Sequence, residues 1–304
     1  MNAPEVRKVD RGPAFAWMHA PHVARTLAAL EAQAPGEARF VGGCVRDSLI
    51  GRAPHDIDIA TTLEPRAVIE ALHAAGLGAA PTGIAHGTVT ATDGGCGVEI
   101  TTLRADVETD GRRAIVAFTK DWAQDAMRRD FTINALYLSG DGTLFDIVGG
   151  ERDLRAGRVR FIGDPHARIR EDFLRILRFF RFSARFASTY DDDGLAACAA
   201  LKSGIATLSA ERVGAEISAL LAHEGAANAV AKMQEAGVLA EIWSAPPMID
   251  RLRALKRACA SAGAPLGLAA LFGGAGEGIA GRGVADHERT GPAPDGVDQV
   301  APDE

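Results

Sequence analysis

The chain has 304 residues, of which 47% are hydrophobic and 24% are charged, and its formal net charge is −7. This is an ordinary soluble globular composition. It excludes a membrane-spanning protein, because no apolar run approaches the roughly 20 residues that cross a bilayer, and it argues against a uniformly basic nucleic-acid-binding protein. No CxxC pair occurs among the cysteines, so neither a zinc site nor a disulfide framework is indicated, and a reducing cytoplasm is expected. The cysteines are Cys44, Cys96, Cys198 and Cys259.

The first part of the chain predicts alternating strands and helices. Residues 1–20 are expected to be a poorly ordered lead-in. "ARFVGG" predicts a short buried strand that ends at glycines, and "CVRDSLIG" predicts a helix after it. "DIDIA" alternates acidic and apolar residues, which is the period of a strand.

The next segments continue the same pattern as far as residue 150. "EPRAVIEALHAAG" predicts a helix with Pro65 in its first turn and Gly76 at its end. "HGTVTAT" and "GVEITTL" predict two strands joined by a glycine turn. Residues 21–150 therefore form a predicted module that mixes strands and helices.

After Gly150 the sequence predicts helices alone. "HARIREDFLRILRFFRFSARF" holds no glycine or proline and predicts one long amphipathic helix, and Ser209 is a predicted N-cap for "SAERVGAEISALLAH". The stretch from Glu151 to Arg185 holds ten arginines and five acids within an acidic chain. Such a charge balance favours either a site for a polyanion or a solvated helix face.

The last 32 residues, 273–304, differ from everything before them. They hold eight glycines, three prolines and seven acids. Such a segment buries too little apolar surface to offset its chain entropy, so it is predicted to be disordered. A frameshift or truncation would explain it, and a natural flexible tail is the alternative.

Two aspartates in "DIDIA" suggest a metal site. If the segment is a strand, Asp56 and Asp58 lie on one face, and two carboxylates so close repel each other unless a cation lies between them. Mg²⁺ prefers such oxygen ligands, and a third acid on a neighbouring strand, with Glu99 as the best candidate, would complete a two-metal platform. The alternative is a solvent-facing strand edge or a helix cap.

A glycine pair precedes these aspartates at the start of the predicted helix. Gly42 and Gly43 lack side chains, so backbone N–H groups can approach a ligand, and a helix N-terminus favours anions. Arg46 lies one turn further on and could reach the same phosphate. A glycine pair by itself is only a turn, but together with Arg46 and the two aspartates it predicts a nucleoside-triphosphate site with its metal.

Five ordered motifs resemble a known family. They are "VGGCVRDSLIGRAPHDIDIATT", "RRDFTINALYL", "FDIVGGERDL", "REDFLRILRFFRF" and "ERVGAEISALL". Their order and spacing resemble the class II tRNA nucleotidyltransferases, or CCA-adding enzymes, and the related bacterial poly(A) polymerases, over about residues 38–240. The resemblance implies an α+β fold with a polymerase-β-like nucleotidyltransferase head, followed by an all-α neck and body.

The resemblance also implies domain boundaries and site residues. The head would span 21–150, a helical neck with a nucleotide-selecting helix 151–240, and a partial helical body 241–272, ahead of the tail 273–304 that the composition predicts to be disordered. Asp56 and Asp58 would be metal ligands, and Glu99 the third catalytic carboxylate. The nucleotide-binding residues would be Gly42, Gly43, Arg46, Arg128, Arg129, Asp130, Asn134, Asp172, Arg175, Arg178 and Arg181.

Asp172 and Arg175 also have a physical argument of their own. At i and i+3 of one helix they share a face, where Asp172 only accepts and Arg175 only donates hydrogen bonds. Cytosine and adenine each present an amine beside an acceptor nitrogen, which matches that pair, whereas uracil and guanine do not. The pair could therefore select C and A without a template, and an ordinary helix salt bridge is the alternative.

The expected function is Mg²⁺-dependent transfer of nucleotides from CTP and ATP to the 3′ end of tRNA. A poly(A) polymerase and an enzyme that adds only C or only A share these motifs and remain alternatives. An inactive RNA- or nucleotide-binding remnant is the alternative from another class. The sequence predicts no membrane partner and leaves the oligomeric state open.

Overall fold

A computed structural model describes residues 5–107, 115–244 and 246–272. An eight-stranded sheet carries the order β1-β10-β9-β2-β3-β6-β5-β4, and β7 and β8 form a separate pair. Only β3 and β6 run parallel among the paired strands of the described part. The strands are β1 (Glu5–Lys8), β2 (Ala38–Val41), β3 (Asp58–Thr61), β4 (Gly78–Gly83), β5 (Thr88–Asp93), β6 (Cys96–Thr102), β7 (Arg104–Val107), β8 (Ile115–Phe118), β9 (Leu136–Leu138) and β10 (Thr143–Asp146).

The predicted change from a mixed module to helices at Gly150 is confirmed. Beyond β10 the described chain is helical, apart from a single bridge between Phe131 and Phe161. The helices are α1 (Pro21–Gln33), α2 (Gly43–Leu49), α3 (Pro65–Ala74), α4 (Trp122–Met127), α5 (Gly150–Arg155), α6 (Pro165–Glu171), α7 (Leu174–Phe186), α8 (Asp192–Leu201), α9 (Ala210–Leu221), α10 (Ala226–Glu235), α11 (Ile249–Ala258) and α12 (Ala264–Phe272). The α+β fold class predicted from the sequence is therefore confirmed.

The core of the sheet follows from its apolar alternation. Phe40, Ile59 and Ile100 are fully buried in three neighbouring strands. Leu30 of α1 and Leu72 of α3 are fully buried in the same core cluster. Because successive side chains of a strand point to opposite faces, this burial turns Asp58 and Glu99 toward the other face.

Aromatic packing joins α7 to the sheet-containing half. The ring of Phe179 stacks on Phe161 at 5.5 Å between centroids, and Phe161 lies 4.9 Å from Phe131. Phe179 and Phe180 are fully buried. The apolar face predicted for this helix therefore forms core, which leaves its arginines on the opposite face.

The prediction that residues 1–20 form a poorly ordered lead-in is wrong for residues 5–20, which the structure describes. Glu5–Lys8 pairs with β10, and Pro13–His19 forms a 3-10 helix that buries Phe15 and Met18. The Arg7 Nε donates a 2.9 Å hydrogen bond to Glu151. The sheet edge and these buried side chains order a segment whose own sequence carries little periodicity.

The strand predicted for "DIDIA" is also shorter than expected. β3 begins at Asp58, and Asp56 lies in a bend before it. The neighbouring β2 ends at Val41 and the chain turns away at Gly42, so Asp56 has no strand beside it on that side. The two aspartates are therefore not on one face of a common strand.

The single long helix predicted over residues 166–186 is wrong, because the chain forms α6 and α7 with a break at Asp172. Asp172 has an extended backbone, with φ −156° and ψ 108°. Its side chain accepts a 3.0 Å hydrogen bond from the Leu174 N–H at the start of α7. A side-chain bond of this kind competes with the helical ladder and favours a new helix start.

Some sequence predictions fall outside the described residues or remain predictions. The tail 273–304 lies outside them, as do residues 1–4. The domain boundaries at 21–150, 151–240 and 241–272 remain predictions. No helix in the described ranges has the length and apolar character needed to span a bilayer.

Candidate active site

One cleft of about 780 Å³ brings together every site residue predicted from the sequence. Its walls come from the sheet-containing half on one side and from residues 172–212 on the other. The predicted residues that line it are Gly42, Gly43, Arg46, Asp56, Asp58, Glu99, Arg128, Arg129, Asp130, Asn134, Asp172, Arg175, Arg178 and Arg181. Residues from segments far apart in the chain thus meet in one place, which no local pattern requires.

Carboxylates form one end of this cleft. Asp58 and Glu99 are register partners on the parallel strands β3 and β6, so their side chains lie side by side. The Asp56 side chain is 82% exposed, and its carboxylate lies 3.0 Å from the His55 ring. Among the described residues, no three His, Cys, Asp or Glu side chains are grouped closely enough to hold a metal ion. Two of the three predicted carboxylates are therefore adjacent on paired strands, and Asp56 lines the same cleft from the bend before β3.

The ionised form of the Asp58 carboxylate is disfavoured in the protein without a bound cation. Burial is the main cause, and repulsion from the Glu99 carboxylate adds to it, so that the pKa of Asp58 is raised to about 6. The guanidinium of Arg129 opposes this shift. A divalent cation between the two carboxylates would remove the repulsion, and carboxylate oxygens are the ligands that Mg²⁺ prefers. The donor set of the cleft therefore fits a hard divalent ion.

A glycine turn places α2 at the edge of the same cleft. Gly42 has φ +69°, in the left-handed region that side chains disfavour. A Cβ added there would lie 3.6 Å from both Arg129 and the Asn134 carbonyl oxygen. The turn thus requires glycine for its backbone conformation, and it brings Arg46 on α2 into the cleft.

A buried hydrogen-bonded network holds the arginines in place. The Arg46 Nη1 donates to Asn134 Oδ1 at 2.5 Å, and the Asn134 amide donates to Asp130 at 2.9 Å. Asp130 accepts from the Arg178 Nε at 2.8 Å. Burial alone would raise the pKa of Asp130, but Arg178 and Asn134 outweigh it and lower the pKa. The network fixes two arginines that face the cleft from opposite walls.

Arg128 and Arg129 have a second buried carboxylate behind them. Asp125, only 1% exposed, lies 2.8 Å from Arg128 and 3.1 Å from Arg129. Tyr137 donates its hydroxyl to the same carboxylate at 2.8 Å. Burial raises the pKa of Asp125, but Arg129 and Arg128 outweigh it and lower the pKa to about 2. This carboxylate orients both arginines toward the cleft.

The prediction that Asp172 and Arg175 pair on one helix face is wrong. Asp172 lies before α7 and pairs with Arg212 at 2.7 Å. Arg175 pairs with Glu171 and donates to the Arg168 carbonyl oxygen at 2.7 Å. Asp172 lies outside α7, which begins at Leu174, although the Arg175 N–H still donates to the Asp172 carbonyl oxygen at 3.0 Å. Both side chains line the cleft.

The structure adds supporting residues that the sequence patterns did not indicate. Glu216 of α9 accepts from Arg181 at 2.6 Å and lies 3.5 Å from Arg178. Asp47 accepts from the Arg46 Nε at 2.9 Å. Asp47 stands inside the glycine-turn motif and Glu216 inside "ERVGAEISALL", so motif membership was the available signal. Arg104 and Arg212 also line the cleft. Arg212 belongs to the same motif as Glu216, and Arg104 directly follows the predicted strand "GVEITTL".

Comparison with known proteins supports this geometry. Residues 38–160 match the family model described as the poly A polymerase head domain. That range holds the acidic end of the cleft, the glycine turn and the hydrogen-bonded network around Asp130 except Arg178.

Relatives extend the likeness beyond the head domain. The chain is 42% identical to a mouse protein named CCA tRNA nucleotidyltransferase 1, mitochondrial. The alignment spans 222 residues, which are 72% of this chain and 51% of the relative. It is 42% identical over 187 residues to a CCA-adding enzyme of Leuconostoc mesenteroides, which covers 61% of this chain and 46% of the relative. The predicted resemblance to the CCA-adding enzymes is confirmed.

A solved structure agrees with the fold of the described chain. The CCA-adding enzyme of Bacillus stearothermophilus, solved in complex with CTP, superposes with a TM-score of 0.69 at 31% identity. The match covers 81% of this chain and 58% of that enzyme. The chain spans about half the length of the curated relatives it matches. The head domain and the fold are shared with these enzymes.

Proposed function

We propose that this chain carries out template-independent nucleotidyl transfer from CTP and ATP to the 3′ end of tRNA. The observation that carries the proposal is the single cleft in which an acidic pair faces a set of anchored arginines. A nucleoside triphosphate needs both features, since its phosphates require cations and its metal requires carboxylates. The names of the relatives support CCA addition as the outcome.

Mg²⁺ is the proposed cofactor, held by Asp58 and Glu99 with Asp56 as a further ligand. The Asp56 side chain must turn from His55 toward Asp58 to take part. The ion, when bound, would lower the pKa of the attacking 3′-hydroxyl and neutralise charge on the leaving pyrophosphate. The raised pKa of Asp58 supports the assignment, because burial and the Glu99 carboxylate outweigh the opposing guanidinium of Arg129.

The arginines of the cleft would bind and orient the triphosphate. Arg46, Arg129 and Arg178 each donate a hydrogen bond to a buried acceptor. Side chains fixed in this way lose little entropy when a phosphate binds, which favours orientation as well as affinity. The phosphates would enter beside the glycine turn, where Gly42 and Gly43 leave room near the backbone.

Base selection is proposed to use Asp172 and Arg175 from the opposite wall. In the chain without nucleotide, Asp172 bonds Arg212 and Arg175 bonds Glu171. An amine of cytosine or adenine would replace Arg212 at the Asp172 carboxylate, and the ring nitrogen would accept from Arg175. Uracil and guanine would leave a buried group unpaired, at a cost of about 1–3 kcal/mol.

The test is incubation of the protein with Mg²⁺ and a tRNA that lacks its 3′ end, with each labelled triphosphate in turn. Incorporation of C and then A, with U and G excluded, is the expected result. Incorporation of none of the four nucleotides, by a protein that binds CTP in a separate titration, would overturn the transfer activity and favour a nucleotide-binding remnant.

Polyadenylation is the second candidate, because the matching family model describes a poly A polymerase head domain. A long product from ATP alone, with or without CTP, would identify it. Addition of only C or only A in the same assay would identify the single-nucleotide enzyme. Each outcome leaves the transfer chemistry of the cleft unchanged.

The cytoplasm is the proposed compartment. All four cysteines are free thiols within the described ranges. Cys44 and Cys198 are buried, and burial raises the pKa of Cys44 to about 12, so this thiol is unreactive. A mitochondrial location is the alternative, because a curated relative carries that word in its name. Fractionation of cells that express a tagged chain would distinguish the two.

A further inference from the structure

A second cleft, of about 670 Å³, lies apart from the nucleotide cleft and is lined by cations. Its cationic side chains come from the loop after α2, from the end of α7, and from α11. They are Arg52, Arg185, Arg253, Lys256 and Arg257. We refer to this surface as the basic cleft. None of its residues was among the predicted site residues, and none is used in the proposed transfer reaction.

The acids near the basic cleft do not balance these charges. Arg185 pairs with Asp47 at 2.7 Å, and Arg253 pairs with Asp250 at 2.6 Å on its own helix. Glu224 also lines the cleft. Five basic side chains and three neighbouring carboxylates therefore give a formal excess of two positive charges in an acidic chain. This excess is what a bound anion would neutralise.

Three of the cations have no carboxylate partner in the described part of the chain. The Lys256 Nζ donates to the Ala262 carbonyl oxygen at 2.6 Å, and the residue is only 5% exposed. Arg52 and Arg257 are exposed and form no ion pair with any described residue. An ammonium group that is buried without a counter-ion is costly, so its retention favours an anionic ligand.

A helix terminus opens onto the same cleft. α10 begins at Ala226 with Gly225 as its N-cap, and no side chain caps it. Ala227 and Asn228 of its first turn line the cleft. Free N–H groups of a helix start favour anions. Gly225 allows this placement, because a Cβ there would lie 2.2 Å from the Ala184 carbonyl oxygen of α7.

A half-buried histidine lies among these cations. His223 lines the cleft, and burial is the main cause that lowers its pKa, with Arg185 and Arg181 adding to the effect. The pKa falls to about 4. Arg52 and Lys256 act in the same direction. The imidazole is therefore neutral at physiological pH, which is consistent with a positive environment that lacks its counter-ion.

We propose that the basic cleft is a second phosphate-binding site. Its geometry fits phosphate groups because guanidinium and ammonium donors converge with backbone N–H groups on one cavity. A free polyphosphate and the backbone of an RNA strand present the same chemistry, and both are candidate sources. The RNA source rests on the function proposed above, whereas the site itself does not.

Asp47 links the basic cleft to the nucleotide cleft. One carboxylate oxygen accepts from Arg46, which faces the nucleotide cleft, and the other accepts from Arg185, which faces the basic cleft. A phosphate that binds Arg185 would compete with Asp47 for its guanidinium. A phosphate bound in the basic cleft is therefore expected to change the contact between Asp47 and Arg46.

The test compares two charge-matched double variants of the full chain. Arg52→Ala with Arg257→Ala removes the two exposed cations of the basic cleft. Arg66→Ala with Arg251→Ala removes two exposed arginines elsewhere, one of them on α11 as well. All four positions are exposed, so both variants are expected to fold, which circular dichroism would check.

Two probes distinguish the sources of phosphate. Calorimetric titration with inorganic tripolyphosphate is expected to lose one binding step in Arg52→Ala/Arg257→Ala and to keep it in the control. Fluorescence anisotropy with a labelled RNA oligonucleotide is expected to show at least a tenfold loss of affinity. Its slope of log K against log[salt] should fall by roughly 1.4–1.8, since each lost phosphate contact contributes about 0.7–0.9.

The outcomes separate this proposal from the function proposed above. Loss with RNA alone assigns the site to an RNA backbone, and loss with tripolyphosphate alone assigns it to a free phosphate. If the two double variants bind each probe equally well, the proposed phosphate-binding site is wrong. A parallel CTP titration tests the nucleotide cleft independently, because unchanged CTP binding alongside lost probe binding confines the effect to the basic cleft.

Discussion

At the scale of single residues, Asp58 carries the proposed metal chemistry. Asp58→Ala should reduce nucleotide incorporation by at least about 100-fold, because metal stabilisation of the transition state contributes several kcal/mol and each 1.4 kcal/mol is a factor of ten. The fold should survive, since the lost charge is unfavourable in the chain alone. Turnover with labelled CTP and Mg²⁺ measures the effect. Glu70→Ala, which removes an exposed acid on α3, is the control. Wild-type turnover in Asp58→Ala would contradict the metal assignment.

Asp125 makes stability depend on acid pH. Its folded-state pKa of about 2 lies below the unfolded value, so its contribution is present above about pH 4 and is lost as pH falls toward 2. The contribution should be roughly 2 kcal/mol. Asp125→Asn should lower stability at pH 7 and flatten its decline between pH 4 and 2. Urea unfolding followed by circular dichroism at several pH values measures this. Parallel pH curves for the two proteins would rule out the role assigned to Asp125.

At the scale of secondary-structure elements, the break between α6 and α7 sets the place of Asp172. Asp172→Asn keeps an oxygen that can accept from the Leu174 N–H, but it removes the charge that pairs with Arg212. Discrimination against UTP and GTP should therefore weaken by about tenfold or more, while the helix start is preserved. Competition assays with four labelled triphosphates measure selectivity. Asp164→Asn, at the N-cap of α6, is the matched control. Unchanged selectivity would exclude Asp172 from base choice.

Substitution by alanine is expected to change the free energy of unfolding in opposite directions at Gly225 and Gly214. A Cβ at Gly225 would meet the backbone of Ala184, whereas nothing lies within 4 Å of a Cβ at Gly214 in α9. Gly225→Ala should cost about 1–3 kcal/mol of unfolding free energy through overpacking. Gly214→Ala should gain about 0.5–1 kcal/mol, because alanine favours an exposed helix position. Chemical denaturation of both variants provides the measurement. A neutral Gly225→Ala would show that α10 can shift away from α7.

At the scale of the whole molecule, the nucleotide cleft joins the sheet-containing half to the helices. A ligand that bridges both walls stabilises the native chain by mass action, by about 2.7 kcal/mol at one hundred times its Kd. CTP with Mg²⁺ should therefore raise the unfolding temperature by roughly 5–10 °C. CTP or Mg²⁺ alone should raise it less. Differential scanning fluorimetry with all four triphosphates tests this, and an equal shift with UTP would argue against selection by the cleft.

The amino-acid sequence by itself determined the mixed α+β organisation, the strands around the glycine turn and the residues that line the nucleotide cleft. The organisation and the strands follow from local periodicity, which is a property of neighbouring residues. The cleft residues follow mainly from the resemblance of five ordered motifs to a known family. The tertiary structure alone decided where β3 begins, because β2 ends at Val41 and leaves Asp56 without a strand on that side, and it paired Asp172 with Arg212 of α9. It also decided which acids support which arginines and placed Arg52 beside α11 in the basic cleft. The physical reason is that strand pairing, ion pairs and clefts depend on contacts between segments distant in the chain, and no local pattern encodes them.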